Sequence, residues 1–272
     1  MKRIALPFVS LLAALALPAC FQQATTIHLN KDGSGTLVEE TTLGAQMTAM
    51  LDQMGALGGE KAKDPVKEMT SPEKAKARAA ALGDGVTVEK VEPVTVNGNK
   101  GARATYHFAD INKLKYSMDE GMQAALPKQP GDPDADKPKG KPTTFKYADG
   151  LLTIANPTPD KADKPDADAA KPEGAADMNE AMEPMMKQMM GDMKMSFKLV
   201  IEPGIAETNA SHVNGNTVTL ASMDVGKVLE TPGAFKKLQG VDQKDPEKAM
   251  AALKDVKGIT METKKEITIK VK

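Results

Sequence analysis

Apolar and polar residues alternate along Thr25-Thr26-Ile27-His28-Leu29 and again along Gly35-Thr36-Leu37-Val38-Glu39, on either side of Asn30-Lys31-Asp32-Gly33-Ser34. Alternation puts every second side chain on one face of a strand, and Asp-Gly suits the turn between two strands, so the pattern predicts a β-hairpin. The same reasoning predicts a second hairpin from Val86–Val96 and Ala102–Phe108 around Asn97-Gly98-Asn99, and a third from Thr144–Tyr147 and Leu151–Ile154 around Asp149-Gly150. Phe197–Gly204, Ile205–Ala210 and Thr217–Leu220, the last following Asn214-Gly215-Asn216, predict another antiparallel set. Glu266–Val271 predicts a closing strand.

Helical spacing occurs between these runs. Leu43, Met47, Met50, Leu51 and Met54 recur at three and four residues ahead of Gly58-Gly59. Ser71-Pro72-Glu73 offers an N-cap serine and a first-turn proline, and Gly83 a stop. Asp110–Leu126 is expected to add helix, and Asp245-Pro246-Glu247 to open one that runs through Ala249, Leu253 and Val256 to Gly258. Residues 127–142 and 157–176 are rich in Pro, Asp and Lys and almost free of large apolar side chains, so they cannot offset their ordering entropy and read as disordered insertions. The expected fold is α+β: a mainly antiparallel sheet of hairpins packed by amphipathic helices, in a single domain over residues 24–272.

The N-terminus has a different pattern. Lys2 and Arg3 precede an apolar stretch from Ile4 to Leu17, followed by Pro18-Ala19-Cys20. That is the arrangement of a signal peptide, over residues 1–19, and the stretch is shorter than the ~20 residues a membrane-spanning helix needs. Leu17-Pro18-Ala19-Cys20 resembles the lipobox of bacterial lipoproteins, which implies cleavage before Cys20 and a lipidated N-terminus over residues 20–23. Ordinary cleavage after Ala14-Leu15-Ala16 is the competing reading and leaves a free thiol. Cys20 is the only cysteine of the chain, so no internal disulfide can form, and a lone thiol in an oxidising compartment is a liability that acylation removes. More than one acyl chain would anchor the protein stably to a membrane. The resemblance implies the cell envelope, and Phe21 after the cysteine favours the outer membrane if the cell is Gram-negative.

Composition narrows the function classes. The 272 residues carry a net charge of −1, only 3% aromatic residues and no Trp, so neither a basic footprint nor a stacking platform for nucleic acid is present. The densest feature is methionine: Met178, Met182, Met185, Met186, Met189, Met190 and Met193 fall within about one third of a helix circumference. Pro184 kinks that helix or marks its start. Three readings stand: Met filling an irregular core, a plastic apolar surface for a lipid or protein partner, and, remotely, a soft-metal site in which thioethers select Cu(I). His28, His107 and His212 are far from the stripe in sequence.

The strand pair around Ile27-His28-Leu29-Asn30-Lys31-Asp32-Gly33-Ser34-Gly35-Thr36, together with Glu202-Pro203-Gly204-Ile205-Ala206-Glu207-Thr208-Asn209-Ala210 before Asn214-Gly215-Asn216-Thr217-Val218, resembles the LppM-type lipoprotein domain. The resemblance covers roughly residues 24–110 and 195–225. It implies an envelope-facing α+β module that binds a lipid-like ligand rather than catalysing a reaction, and it nominates no contact residue. Enzyme motifs such as G-x-S-x-G, H-E-x-x-H and the P-loop do not occur, and no cofactor is expected. The expected function is a membrane-anchored, non-enzymatic lipoprotein that binds an apolar ligand or envelope partner, with a structural envelope role as the alternative.

Overall fold

The computed structural model describes residues 21–45, 47–49, 64–118, 142–155, 191–231 and 256–272. Strand dominates these residues. The first hairpin joins β1 (Phe21–Leu29) to β2 (Gly35–Leu43), in register from Phe21 opposite Leu43 to Leu29 opposite Gly35. Asp32 shapes the turn by accepting from the backbone N–H and the hydroxyl of Ser34, at 3.0 and 2.6 Å. The second hairpin joins β3 (Thr87–Val96) to β4 (Asn99–Phe108), and the third joins β6 (Thr143–Ala148) to β7 (Leu151–Ala155). Their turns place Asn97-Gly98 and Asp149-Gly150 at φ of 51° and 84°, and of 52° and 76°. Two successive positive-φ residues match the right-handed twist of the flanking strands, which is why Asn-Gly and Asp-Gly stand there.

The remaining strands are β5 (Lys115–Tyr116), β8 (Lys194–Ile201), β9 (Ile205–Thr208), β10 (Val213–Asn214), β11 (Thr217–Asp224), β12 (Ile259–Met261) and β13 (Glu266–Val271). They complete two sheets. The larger has eight strands in the order β10-β11-β8-β1-β2-β4-β3, with β12 also on β11, and the smaller has five in the order β5-β6-β7-β13-β9. The 197–220 region is not the simple antiparallel set expected. β8 runs parallel to β1, from Gln22 beside Lys194 to Leu29 beside Ile201, and antiparallel to β11, while β9 leaves for the smaller sheet to pair with β13. Alternation fixes which face a strand buries but carries no information on which neighbour it takes or in which direction.

One apolar cluster receives Ile27, Leu37, Phe108, Phe197, Leu199 and Val218 from the larger sheet, and Phe145, Leu152, Ile154, Ile267 and Ile269 from the smaller. Among the described residues the packing is therefore chiefly sheet against sheet, because the hairpins supply two apolar faces that bury each other, and the expected cover of amphipathic helices is seen only in short pieces. Three short helices are described: α1 (Pro65–Met69), α2 (Pro72–Leu82) and α3 (Val225–Leu229). Helix α2 follows its sequence signals: the Ser71 side chain accepts from the Lys74 N–H, and the chain turns at Gly83. It buries Ala75, Arg78, Ala79 and Leu82.

Several expected elements differ or lie elsewhere. Leu43 ends β2 instead of opening a helix, since its backbone is paired across to Phe21 and Lys100. A helical turn follows at Ala45 and 47–49, and Met50, Leu51 and Met54 lie outside the described residues. Asp110–Leu126 opens as a 3-10 turn, Ile111–Lys113, followed by β5, because the Asp110 carboxylate caps Asn112 N–H and Ile111 and Leu114 drop into the core. The expected insertions fall outside the described residues apart from Pro142, as does the late helix apart from residues 256–258. Strand β1 reaches back to Phe21, earlier than the expected domain start at residue 24.

Leu199 is fully buried at the centre of β8, between β1 and β11. Leu199→Ala is expected to cost about 2–5 kcal/mol through lost contacts and a residual cavity. Urea unfolding should show a lower midpoint with an unchanged slope.

Candidate functional site

Midway along the inward face of the larger sheet the apolar pattern is interrupted by a polar layer. Thr25 of β1 and Glu39 of β2 stand opposite each other, and Thr25 is in register with Phe197 of β8. Helix α2 lowers Arg78 onto this layer, and β5 brings Tyr116. Arg78 donates through Nη2 to Glu39 Oε1 at 2.7 Å and through Nε to both carboxylate oxygens at 3.1 and 3.3 Å. Their side chains are 7% and 11% exposed, so the ion pair is interior. Thr25 and Tyr116 share a hydroxyl–hydroxyl hydrogen bond of 2.7 Å. The Arg78 guanidinium lies 5.8 Å from the centre of the Tyr116 ring, which packs tilted on Phe197 at 4.3 Å.

The local chemistry follows from this enclosure. Burial pushes the Tyr116 hydroxyl above the ordinary phenol range; Glu39 adds to the shift, while the Thr25 bond and Arg78 oppose it. Burial also raises Tyr106, helped by Glu39 and opposed by Arg78. Burial lowers Arg78, but the charge and hydrogen bonds of Glu39 outweigh it, so the guanidinium is held above its already high value. Near neutral pH the arginine stays charged and the two phenols keep their protons. The layer can hold geometry or meet a polar group.

One rung away, Gln23 is 5% exposed and its Oε1 has no hydrogen-bond partner among the described residues; it faces Thr41 of β2 and Met195 of β8. A second polar cluster ties the two sheets together. Glu262 accepts from the Ser211 backbone N–H at 2.6 Å, the Ser211 hydroxyl at 3.2 Å and the Lys264 backbone N–H at 3.2 Å. Burial raises its carboxyl, and these three bonds with the Lys264 charge more than reverse that. The Lys264 side chain donates to the Asn209 carbonyl and to the Ser211 hydroxyl at 3.0 Å.

The residues singled out in the sequence are dispersed. Met178, Met182, Met185, Met186, Met189, Met190 and Cys20 lie outside the described residues. Met193 is described and is not helical: it is half-buried just before β8, its carbonyl accepting from Val225 N–H at 3.0 Å. His28 bonds Glu202 at 2.7 Å, His107 is exposed on the outer face, and His212 contacts the Met261 carbonyl at 3.2 Å. Sequence reasoning missed the Glu39–Arg78 layer. Its signal was an arginine on the otherwise apolar Ala75, Ala79, Leu82 stripe of α2, opposite strands whose inward positions include Thr25 and Glu39.

Glu39→Gln removes the carboxylate charge that faces the buried Arg78 guanidinium and is expected to destabilise the fold by about 3–5 kcal/mol. Glu39→Leu with Arg78→Met should recover most of that loss, measured by chemical denaturation of the single and double variants. The two buried phenols ionise more easily in the unfolded chain, at about pH 10, so their stabilising effect is fully present below that pH and lost as pH rises beyond it. With 3 Tyr and no Trp in the chain, tyrosinate absorbance should show no full step at pH 10 while the fold persists, and should rise together with alkaline unfolding.

No family model matches the sequence, and neither does any curated protein. Among solved structures, the chain is weakly similar to the NMR structure of the folded domain of LppM from Mycobacterium tuberculosis. The identity is 11% and the TM-score 0.31, over 83% of this chain and 90% of that one.

Proposed function

We propose that the chain is an exported lipoprotein of the bacterial cell envelope, anchored by acyl chains on Cys20, that acts by binding an apolar, lipid-like ligand or an envelope partner rather than by catalysis. The observation that carries this reading is the position of the single cysteine, directly after a signal-like segment and directly before the first strand. The Met-rich stretch supports a binding role, since unbranched thioether side chains repack around different apolar partners. A purely structural envelope role is the second reading. It is favoured by the packing between the sheets, where Tyr116, Phe108, Ile27, Leu37 and Leu199 are almost wholly buried.

Intact mass of the chain extracted from its native membrane should show loss of residues 1–19 and added acyl mass on Cys20, and native mass spectrometry of the same material should show a co-purifying lipid. An unmodified thiol removes the anchor. An acylated but empty protein favours the structural role.

A further inference from the structure

Strand β1 begins at Phe21, the residue after Cys20. Phe21 is 3% exposed and in register with Leu43, and Gln22 is held on both sides, by Thr42 of β2 and Lys194 of β8. The chain therefore enters the middle of an eight-stranded sheet from its first described residue. A tether reaches at most about 3.6 Å per residue, and between Cys20 and the ordered strand there is no residue to supply one.

We propose that the Phe21 end of the larger sheet rests against the lipid headgroups of the anchoring membrane in a set orientation, imposed by the absence of a tether. This rests on the acylation of Cys20 proposed above. The opposite end, at the Asn30–Ser34 turn, then stands away from the bilayer by up to the length of β1, whose 9 residues at ~3.3 Å each span about 30 Å.

The Phe21 end carries lysines together with the carboxylates of Asp192 and Asp224. The Phe21 end also contains the Asn97-Gly98 turn, Lys100 beside Leu43, Lys194 beside Asp224, and Gly258, whose carbonyl accepts from Asp224 N–H. Lys100, Lys194, Lys227 and Lys257 are exposed there. Lys194 and Lys227 lie 3.3 and 3.9 Å from Asp224, whereas Lys100 and Lys257 have no acidic partner among the described residues. Ammonium groups at headgroup depth are attracted to anionic lipid phosphates. At the far end the charges are mixed as well, with Lys31, Asp32, Asp84 and Glu202 exposed, the last paired with His28.

The native chain has one cysteine, which acylation would consume, so Lys100→Cys and Lys31→Cys each provide a single thiol for a fluorophore. Each full-length acylated variant is placed in phosphatidylethanolamine/phosphatidylglycerol vesicles doped with a nitroxide-headgroup lipid. Quenching is expected to be several-fold greater for the label at residue 100 than at residue 31. Inserting about ten Gly/Ser residues between Cys20 and Phe21, a flexible linker, should abolish the difference. Equal quenching at both sites, stronger quenching at residue 31, or a difference that survives the insertion overturns the proposal. Intact mass separates the two failures: without acyl mass on Cys20 the anchor itself is wrong and the orientation falls with it, whereas acyl mass with equal quenching sinks the orientation alone.

Discussion

Strand β1 is bonded along both edges, antiparallel to β2 and parallel to β8, and the arrangement of the larger sheet depends on that double pairing. A strand with neighbours on both sides has no free edge to adjust, so its side-chain alternation decides which residues face the interior along the whole rung. Phe21, Gln23, Thr25, Ile27 and Leu29 are buried in strict alternation with half-buried neighbours. Through register, Ile27 sets Leu37 and Leu199 into the core, and Thr25 brings Glu39 and Phe197 into line. The parallel pairing also requires a long excursion between β2 and β8, and the third hairpin, which belongs to the smaller sheet, is made within it.

The local parts of this fold were legible in the sequence because they are written by local physics. Asn97-Gly98 and Asp149-Gly150 announce turns that few other residues tolerate, and Ser71-Pro72 with Gly83 brackets a helix at both ends. The non-local parts were not. Nothing in Phe197–Ile201 distinguishes a strand that pairs parallel with β1 from one that folds back on a hairpin partner, and nothing in Ile205–Thr208 signals its departure to the other sheet. Leu43 shows how periodicity misleads at a junction: it fits the helical spacing of the residues after it, but its backbone hydrogen bonds belong to the strand before it.

The candidate site was hidden for a related reason. Charged residues in a sequence this rich in Lys and Glu read as solvated surface, and Glu39 sits in a hairpin that also carries Glu40. The structure separates the two by one step of the pleat. Glu40 faces outward to a partly exposed Arg103 at 2.5 Å, whereas Glu39 faces inward to Arg78. Period-two geometry alone makes one an ordinary surface pair and the other an interior one.

An interior ion pair is a doubtful source of stability, because removing two charges from water costs about as much as their attraction returns. Its effect on alternatives is less ambiguous. Slipping β2 by one residue against β1 would turn Glu39 outward and Glu40 inward, leaving Arg78 buried without its bidentate partner and Thr25 opposite a different residue. The apolar positions alone resist that slip less strongly, since Leu37 and Val38 are adjacent and either can fill a core site. The polar layer thus penalises the wrong register more than it favours the right one. Because β1 begins at Phe21, holding its register also fixes where that residue sits, so the interior pairing and the placement of Phe21 are two ends of one constraint.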